Sequence, residues 1–150
     1  MKSLTDQSEI NFVQTDQLAR MLKDRFVCDL IGIKLIEAGI GFAKAELEIR
    51  DIHHNGIGIV QGGVLFTIAD YAFAAACNYA EDEVVGIETS VSFVKSVKSG
   101  KIIAEAQEVS RSNKFACCDV RVLNEKGELL TLFHGRGYLL PKKIKSTKSF

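Results

Sequence analysis

The ten residues QGGVLFTIAD, positions 61–70, hold two kinds of group that can act on a carbonyl. Gly62 and Gly63 open an apolar helical run, where backbone N–H groups lack intrahelical partners and the helix dipole favours an anion. Glycine also lets a substrate approach the backbone with no Cβ in the way. These amides are expected to form an oxyanion site, chiefly through Gly62, with Gly63 beside it. Asp70 lies eight residues beyond Gly62, and apolar surroundings should raise its pKa and make its carboxylate a better proton acceptor. It is expected to act as a general base towards water or as a nucleophile.

Spacing then imposes a condition. Eight residues at 1.5 Å per residue separate the two groups by roughly 12 Å along the helix, yet both must lie about 3 Å from one reacting group. One helix cannot satisfy both demands. Two copies packed antiparallel about a twofold axis can, with Asp70 of one facing Gly62 of the other and two equal sites per dimer. The expected assembly is therefore a dimer, or a dimer of dimers, with its active sites between chains.

The elements that must hold these groups follow from periodicity. TDQLARMLKDRF places Leu18, Met21, Leu22 and Phe26 on one helical face, with Thr15 or Asp16 as cap. KLIEAGIGFAKAELEIR reads as strand, because Ala43, Ala45, Leu47 and Ile49 alternate with Lys44, Glu46, Glu48 and Arg50. The helix from Gly62 is apolar on nearly every side, through Val64, Leu65, Phe66, Ile68, Ala69, Ala72 and Phe73 to the alanines that follow, so it should be buried on nearly every side. Four strands succeed it: GIETSVSFV, IIAEAQEVS, FACCDVRVL and LLTLFHGRGYLL. The polar turns KSVKSGK, RSNK and NEKGE join them, and Gly127 is available for a positive φ. Helix, strand, long helix and a run of strands joined by short turns predict an α+β fold in which an antiparallel β-sheet is wrapped around a long central helix.

Composition narrows the classes. The chain has 150 residues, enough for one domain over 1–150, with an arm (about 1–14) and a basic tail (about 142–150) expected to be flexible. Nineteen Lys and Arg balance nineteen Asp and Glu, so no net field attracts nucleic acid or an anionic membrane. No apolar run approaches the ~20 residues of a membrane span, and the polar N-terminus lacks the apolar core of a secretory signal. Cys28, Cys77, Cys117 and Cys118 show no C-x-x-C spacing and read as reduced thiols of a cytoplasmic protein.

The stretch HHNGIGIVQGGVLFTIADYAFAAACN, with SVSFVKSVKSGK and SRSNKFACCDVRVLNEKGELL further on, resembles the signature of hotdog-fold acyl-CoA thioesterases of the PaaI-like, phenylacetate-pathway type. The match includes Asn55, Gly58, Gly62, Gly63, Ala69, Asp70, Ala72 and Phe73. The resemblance implies hydrolysis of acyl-CoA thioesters, with coenzyme A as part of the substrate and no separate cofactor. Gln61 stands where the family carries a histidine. A glutamine can orient a carbonyl or water but donates no acidic proton at neutral pH. A thiolate, whose conjugate thiol has a pKa of about 8.5, leaves without such help.

The resemblance further implies that Asn55 and Gln61 assist Asp70, Gly62 and Gly63, with a turn role for Asn55 as the alternative. It implies that Thr89, Ser90, Phe93 and Val94 line the substrate site, Thr89 or Ser90 near the water. Lys95, Lys98, Arg111, Ser112, Asn113 and Lys114, at two turns, would meet the nucleotide and pantetheine. Phe66, Tyr71, Phe73 and Phe93 are candidates for the acyl pocket. His53, His54 and His134 lack metal-ligand spacing, so no metal is expected. Two other functions stay open on the same fold, a hotdog enoyl-CoA hydratase and a non-catalytic acyl-CoA sensor.

Overall fold

A computed structural model of the chain describes residues 16–79 and 82–141. In chain order it contains α1 (Asp16–Met21), a π-helical segment (Arg25–Ile31), β1 (Lys34–Gly39), β2 (Phe42–Glu48), a 3-10 turn (Asp51–His53) and α2 (Gly62–Cys77). These are followed by β3 (Val84–Phe93), β4 (Lys101–Arg111), β5 (Phe115–Asn124) and β6 (Leu129–Leu139). The six strands form one antiparallel sheet in the order β1-β2-β4-β5-β6-β3. The long helix α2 packs chiefly on β2, β4 and β5. This is the hotdog arrangement that the sequence led us to expect.

The period of two places the core. Ala43, Ala45 and Leu47 of β2, Ile102, Ala104 and Ala106 of β4, and Ala116, Cys118, Val120 and Val122 of β5 are buried towards α2. From the helix, Val64, Leu65, Ile68, Ala69, Ala72, Phe73, Ala75 and Ala76 meet them. The alanines on both sides bring backbone close to backbone. Ile68 is fully buried, and a side chain of that size contributes about 1.5–3 kcal/mol when removed from water. Alternate glycines in β6 serve the same packing. A Cβ at Gly135 would lie 3.0 Å from the Phe73 ring, so the missing side chain makes room for the helix.

Three expectations are corrected. The N-terminal helix does not continue to Phe26. It stops at Met21, and the Asp24 carboxylate accepts from the Val27 N–H at 3.0 Å to start the π-helical segment. The new phase turns Val27 inward and leaves Phe26 55% exposed. Thr15 lies outside the described residues. Second, the first strand is a hairpin, because Gly41 at φ 75° reverses the chain between β1 and β2. Third, KSVKSGK is not a hairpin turn. β3 pairs with β6 at the far edge, so residues 94–100 cross from that edge back to β4 beside β2. That crossover passes the start of α2, where the Val97 carbonyl accepts from the Val60 N–H at 2.9 Å.

Candidate active site

Helix α2 starts with four amides to satisfy, and three of them find acceptors. The Val64 N–H donates to the Gln61 carbonyl at 2.9 Å and the Leu65 N–H to the same oxygen at 3.4 Å. The Gly63 N–H donates to Oε1 of the Gln61 side chain, which folds back as the N-cap. The Gly62 N–H alone of the four has no acceptor among the described residues. Expectation placed both glycines at the oxyanion site. The structure leaves Gly62 open and commits Gly63 to Gln61.

The space around each glycine explains the pair. A Cβ at Gly62 would lie 3.2 Å from Cζ of Phe93, whose half-exposed ring rests against the helix start. A Cβ at Gly63 would lie 2.6 Å from Oε1 of Gln61 and would push that side chain off its amide.

Along α2, Gly63, Phe66, Thr67, Asp70 and Ala74 remain exposed or half-buried while the other faces are packed. Their spacing of three and four residues makes one stripe. Asp70 lies on it with no ion pair or hydrogen bond among the described residues, and desolvation by its surroundings raises its carboxyl pKa above the usual aspartate value. It is therefore not a core carboxylate satisfied by internal donors. Thr67 stands between Gly63 and Asp70, its hydroxyl donating to the Gly63 carbonyl at 2.6 Å. The sequence reading passed over it, although positions 63, 67, 70 and 74 fall on one helical face.

A family model described as Thioesterase superfamily matches residues 57–131, which span the cap, all of α2, strands β3 to β5 and the start of β6. The chain belongs to the thioesterase superfamily. A protein of Archaeoglobus fulgidus named as a candidate esterase is 34% identical over 119 residues, covering 79% of this chain and 77% of its own length. The Escherichia coli acyl-coenzyme A thioesterase PaaI is 28% identical over 109 residues, 72% of this chain and 78% of that protein. The solved structure of E. coli PaaI superposes with a TM-score of 0.79 at 25% identity, covering 83% of this chain and 91% of that one. The protein is thus a PaaI-like hotdog thioesterase, a hydrolase by family.

In this thioesterase the remaining candidates divide by place. Thr89, Val91 and Phe93 share the α2 side of β3, since Val91 pairs with Phe133, whose ring packs on Phe66 and Phe73 of the helix. Ser90 pairs with His134 and faces the opposite side of the sheet, away from Asp70, because neighbouring strand residues alternate faces. Val94 is exposed at the crossover and its N–H donates to the Leu130 carbonyl at 2.8 Å. Asn55 acts as a loop residue through its Oδ1, which accepts from the N–H groups of Ile57 at 3.0 Å and Ile59 at 3.3 Å. No group among the described residues accepts from its side-chain Nδ2. Phe66 is half-buried beside the stripe, but Tyr71 and Phe73 leave the acyl-pocket set. The Tyr71 hydroxyl points to the N-terminal segment, donating to the Met21 carbonyl at 3.2 Å, and the Phe73 ring is in the core.

The four cations do not form one patch within a chain. Lys95 and Lys98 ride the crossover past the start of α2, whereas Arg111 and Lys114 lie towards the other end of this helix, which is about 22 Å long. Lys95 is paired with Glu128 and holds that carboxyl below its usual range. Arg111 donates to the Cys77 carbonyl at 2.7 Å and to both carboxylate oxygens of Glu108, at 2.9 and 3.0 Å, so its guanidinium ties down the end of α2. The Ser112 hydroxyl accepts from the N–H groups of Lys114 and Phe115 and so shapes the turn, with Asn113 exposed at its tip. Lys98 and Lys114 pair with no acid among the described residues.

The histidines go to three separate places. Buried His53 accepts from the Arg50 N–H through Nδ1 at 2.9 Å and donates from Nε2 to the Ile31 carbonyl at 2.7 Å, which fixes a neutral tautomer. His54 donates from Nε2 to the Lys98 carbonyl at 2.7 Å and holds the crossover against the loop before α2. His134 meets Asp119 at 2.6 Å on the outer face of the sheet.

Proposed function

We propose that this thioesterase hydrolyses acyl-coenzyme A esters at sites shared between two copies of the chain. The observation that carries the proposal is the helix start, where Gly62 keeps one amide free while Asp70, with its raised pKa, stands unpaired on the same stripe roughly 12 Å further on. Acyl-coenzyme A is the substrate class because the E. coli relative bears that activity in its name. Coenzyme A enters as part of the substrate, with no separate cofactor. Four free cysteines, and no helix among the described residues long and apolar enough to cross a membrane, suit a cytoplasmic enzyme.

The free edge of β3 supports the pairing. This ten-residue strand bonds to β6 on one side only among the described residues, and an open edge is a template for another strand. A twofold axis normal to the sheet at that edge would make a continuous antiparallel sheet. It would also lay the two α2 helices antiparallel on one side, each Asp70 opposite the other chain's Gly62.

In this mechanism the Gly62 N–H, at the positive end of the helix dipole, donates to the thioester oxygen. The partner's Asp70 takes a proton from water as the water oxygen attacks the carbonyl carbon. The carbonyl π pair moves onto oxygen and is held by the donor. Collapse reforms the C=O bond and expels the thiolate, which receives the proton from Asp70. Desolvation suits the carboxylate to the role because it raises basicity without adding a competing partner.

Gly62→Pro removes the decisive N–H while suiting the first position of a helix, and Gln61 before it already has the extended backbone that a following proline requires (φ −65°, ψ 136°). Asp70→Asn removes the base. Each alone should release little thiol from benzoyl-, phenylacetyl- or hexanoyl-coenzyme A. Co-expressed, they form mixed dimers with one intact site, and the mixture should regain about a quarter of wild-type activity. Recovery no greater than either parent would reject the shared site. Tight acyl-coenzyme A binding by the wild type without thiol release would indicate a sensor.

A further inference from the structure

We infer that Gln61 supplies the second oxyanion donor of this site through its side-chain Nε2, and that Gly63 serves as its anchor rather than as a donor. The inference rests on the proposed hydrolysis and concerns the residue that caps the helix bearing Gly62 and Asp70. An N–H can bond only to an acceptor, so the atom of the Gln61 amide on the Gly63 N–H is Oε1. That bond fixes the rest of the planar amide. Nε2, with two protons to donate, has no acceptor among the described residues. It belongs to the residue adjoining the one helix-start amide that is also unpaired, Gly62. Two free donors on consecutive residues, one from a side chain and one from the backbone, can hold one tetrahedral oxyanion between them. Both are neutral, so they hold the oxygen without giving up a proton.

The bare Cα of Gly63 is the other half of the device. A Cβ there would stand 2.6 Å from Oε1 and 3.7 Å from Nε2, so a side chain at position 63 would move the folded-back amide from its place. Two hypotheses about Gly63 can therefore be separated. If its own N–H held the oxyanion, Gly63→Ala would leave that donor in place and free it from Gln61. If Gly63 is an anchor, the same substitution dislodges the true donor.

The test measures thiol release from the best acyl-coenzyme A substrate of the panel, together with the thermal midpoint. Gln61→Ala and Gly63→Ala should each lower kcat by about 10²-fold with little change in KM, and the double variant should fall no further than either single one. Gln61→Glu keeps the acceptor for the Gly63 N–H and the helix cap, so its midpoint should hold or rise while its kcat falls as in Gln61→Ala. Gln61→His, which restores a ring N–H, should recover much of the lost rate. The inference is overturned if Gly63→Ala keeps wild-type kcat, if Gln61→Glu keeps wild-type kcat, or if the two alanine effects multiply in the double variant. A wild type that releases no thiol refutes the proposed hydrolysis itself, and this inference falls with it.

Discussion

The two ends of α2 treat their polar groups in opposite ways. At the C-terminal end side chains fasten the last turn. The Asn78 side chain donates to the carbonyls of Ala74 at 2.9 Å and Val84 at 3.2 Å, and accepts from the Val84 N–H at 2.7 Å. Arg111 covers the Cys77 carbonyl and is itself held by Glu108 and Asp82. At the N-terminal end the Gly62 N–H, Nε2 of Gln61 and, two turns on, the Asp70 carboxylate are uncommitted among the described residues. One end is fastened by side chains of neighbouring elements and the other presents its polar groups to the surface, where an incoming molecule can meet them. Substitutions should separate the ends: changes at the start of the helix should cost rate, and changes at its finish should cost stability.

The largest effect is expected at Asp70. Asp70→Asn should lower kcat by about 10²- to 10⁴-fold, the range that general-base catalysis supplies, without lowering the thermal midpoint. The pH dependence has a definite sign. Burial raises the folded-state pKa of Asp70, so the folded chain holds this proton longer than the unfolded chain does. The resulting component of stability falls as pH rises from the ordinary aspartate range through the raised value, and the asparagine variant, with no proton to lose there, lacks it. The rate of the wild type should rise through the same interval, because the base must be ionised. Stability and rate should thus run in opposite directions with pH in the wild type. Wild-type and variant midpoints that stay parallel across that interval would show that the carboxylate is not desolvated.

Asn78→Ala should invert that pattern. It removes three hydrogen bonds and leaves the Val84 N–H without its acceptor in a buried setting, which should cost about 1–3 kcal/mol of stability, read by denaturant unfolding. The kcat of the molecules that remain folded should stay within about twofold of wild type. A large loss of kcat at full occupancy of the folded state would mean that the two ends are coupled along the helix, and the division between them would fail.

How much of the molecule is legible in its sequence follows from the same contrast. Periodicity placed α2 and the buried faces of β2 and β5, because each depends on side chains a few residues apart, but a helix read as apolar on nearly every side hid the open stripe that bears Asp70. It did not give the pairing of β3 with β6, since KSVKSGK has the composition of a tight turn and only the sheet order reveals a crossover. It did not separate Gly62 from Gly63, because their difference is made by a side chain folding back from Gln61. Arg111 looked like a phosphate ligand from its turn alone. Its partners, Glu108 and the Cys77 carbonyl, show it fastening the helix. The signal for Ser90 was equally local, and the register with His134 turned it to the other face.

The smallest expected effects would sharpen the contrast by extending it across two chains. Lys98 stands near the open end of α2 and Lys114 near the closed end of this helix, which is about 22 Å long. In the proposed antiparallel dimer the open end of one helix would lie beside the closed end of the other, bringing Lys98 towards the partner's Lys114. Both ammonium groups lack an acidic partner among the described residues, which leaves them available to the phosphates of coenzyme A. Exposed charge pairs are individually weak, about 0.2–1 kcal/mol. Lys98→Ala or Lys114→Ala should therefore raise KM for an acyl-coenzyme A only about two- to fivefold, and added salt should erase the difference. With an acyl-pantetheine, which has the same thioester but no nucleotide, neither variant should differ from wild type. An equal rise in KM for both substrates would place these lysines outside nucleotide binding and leave the closed end purely structural.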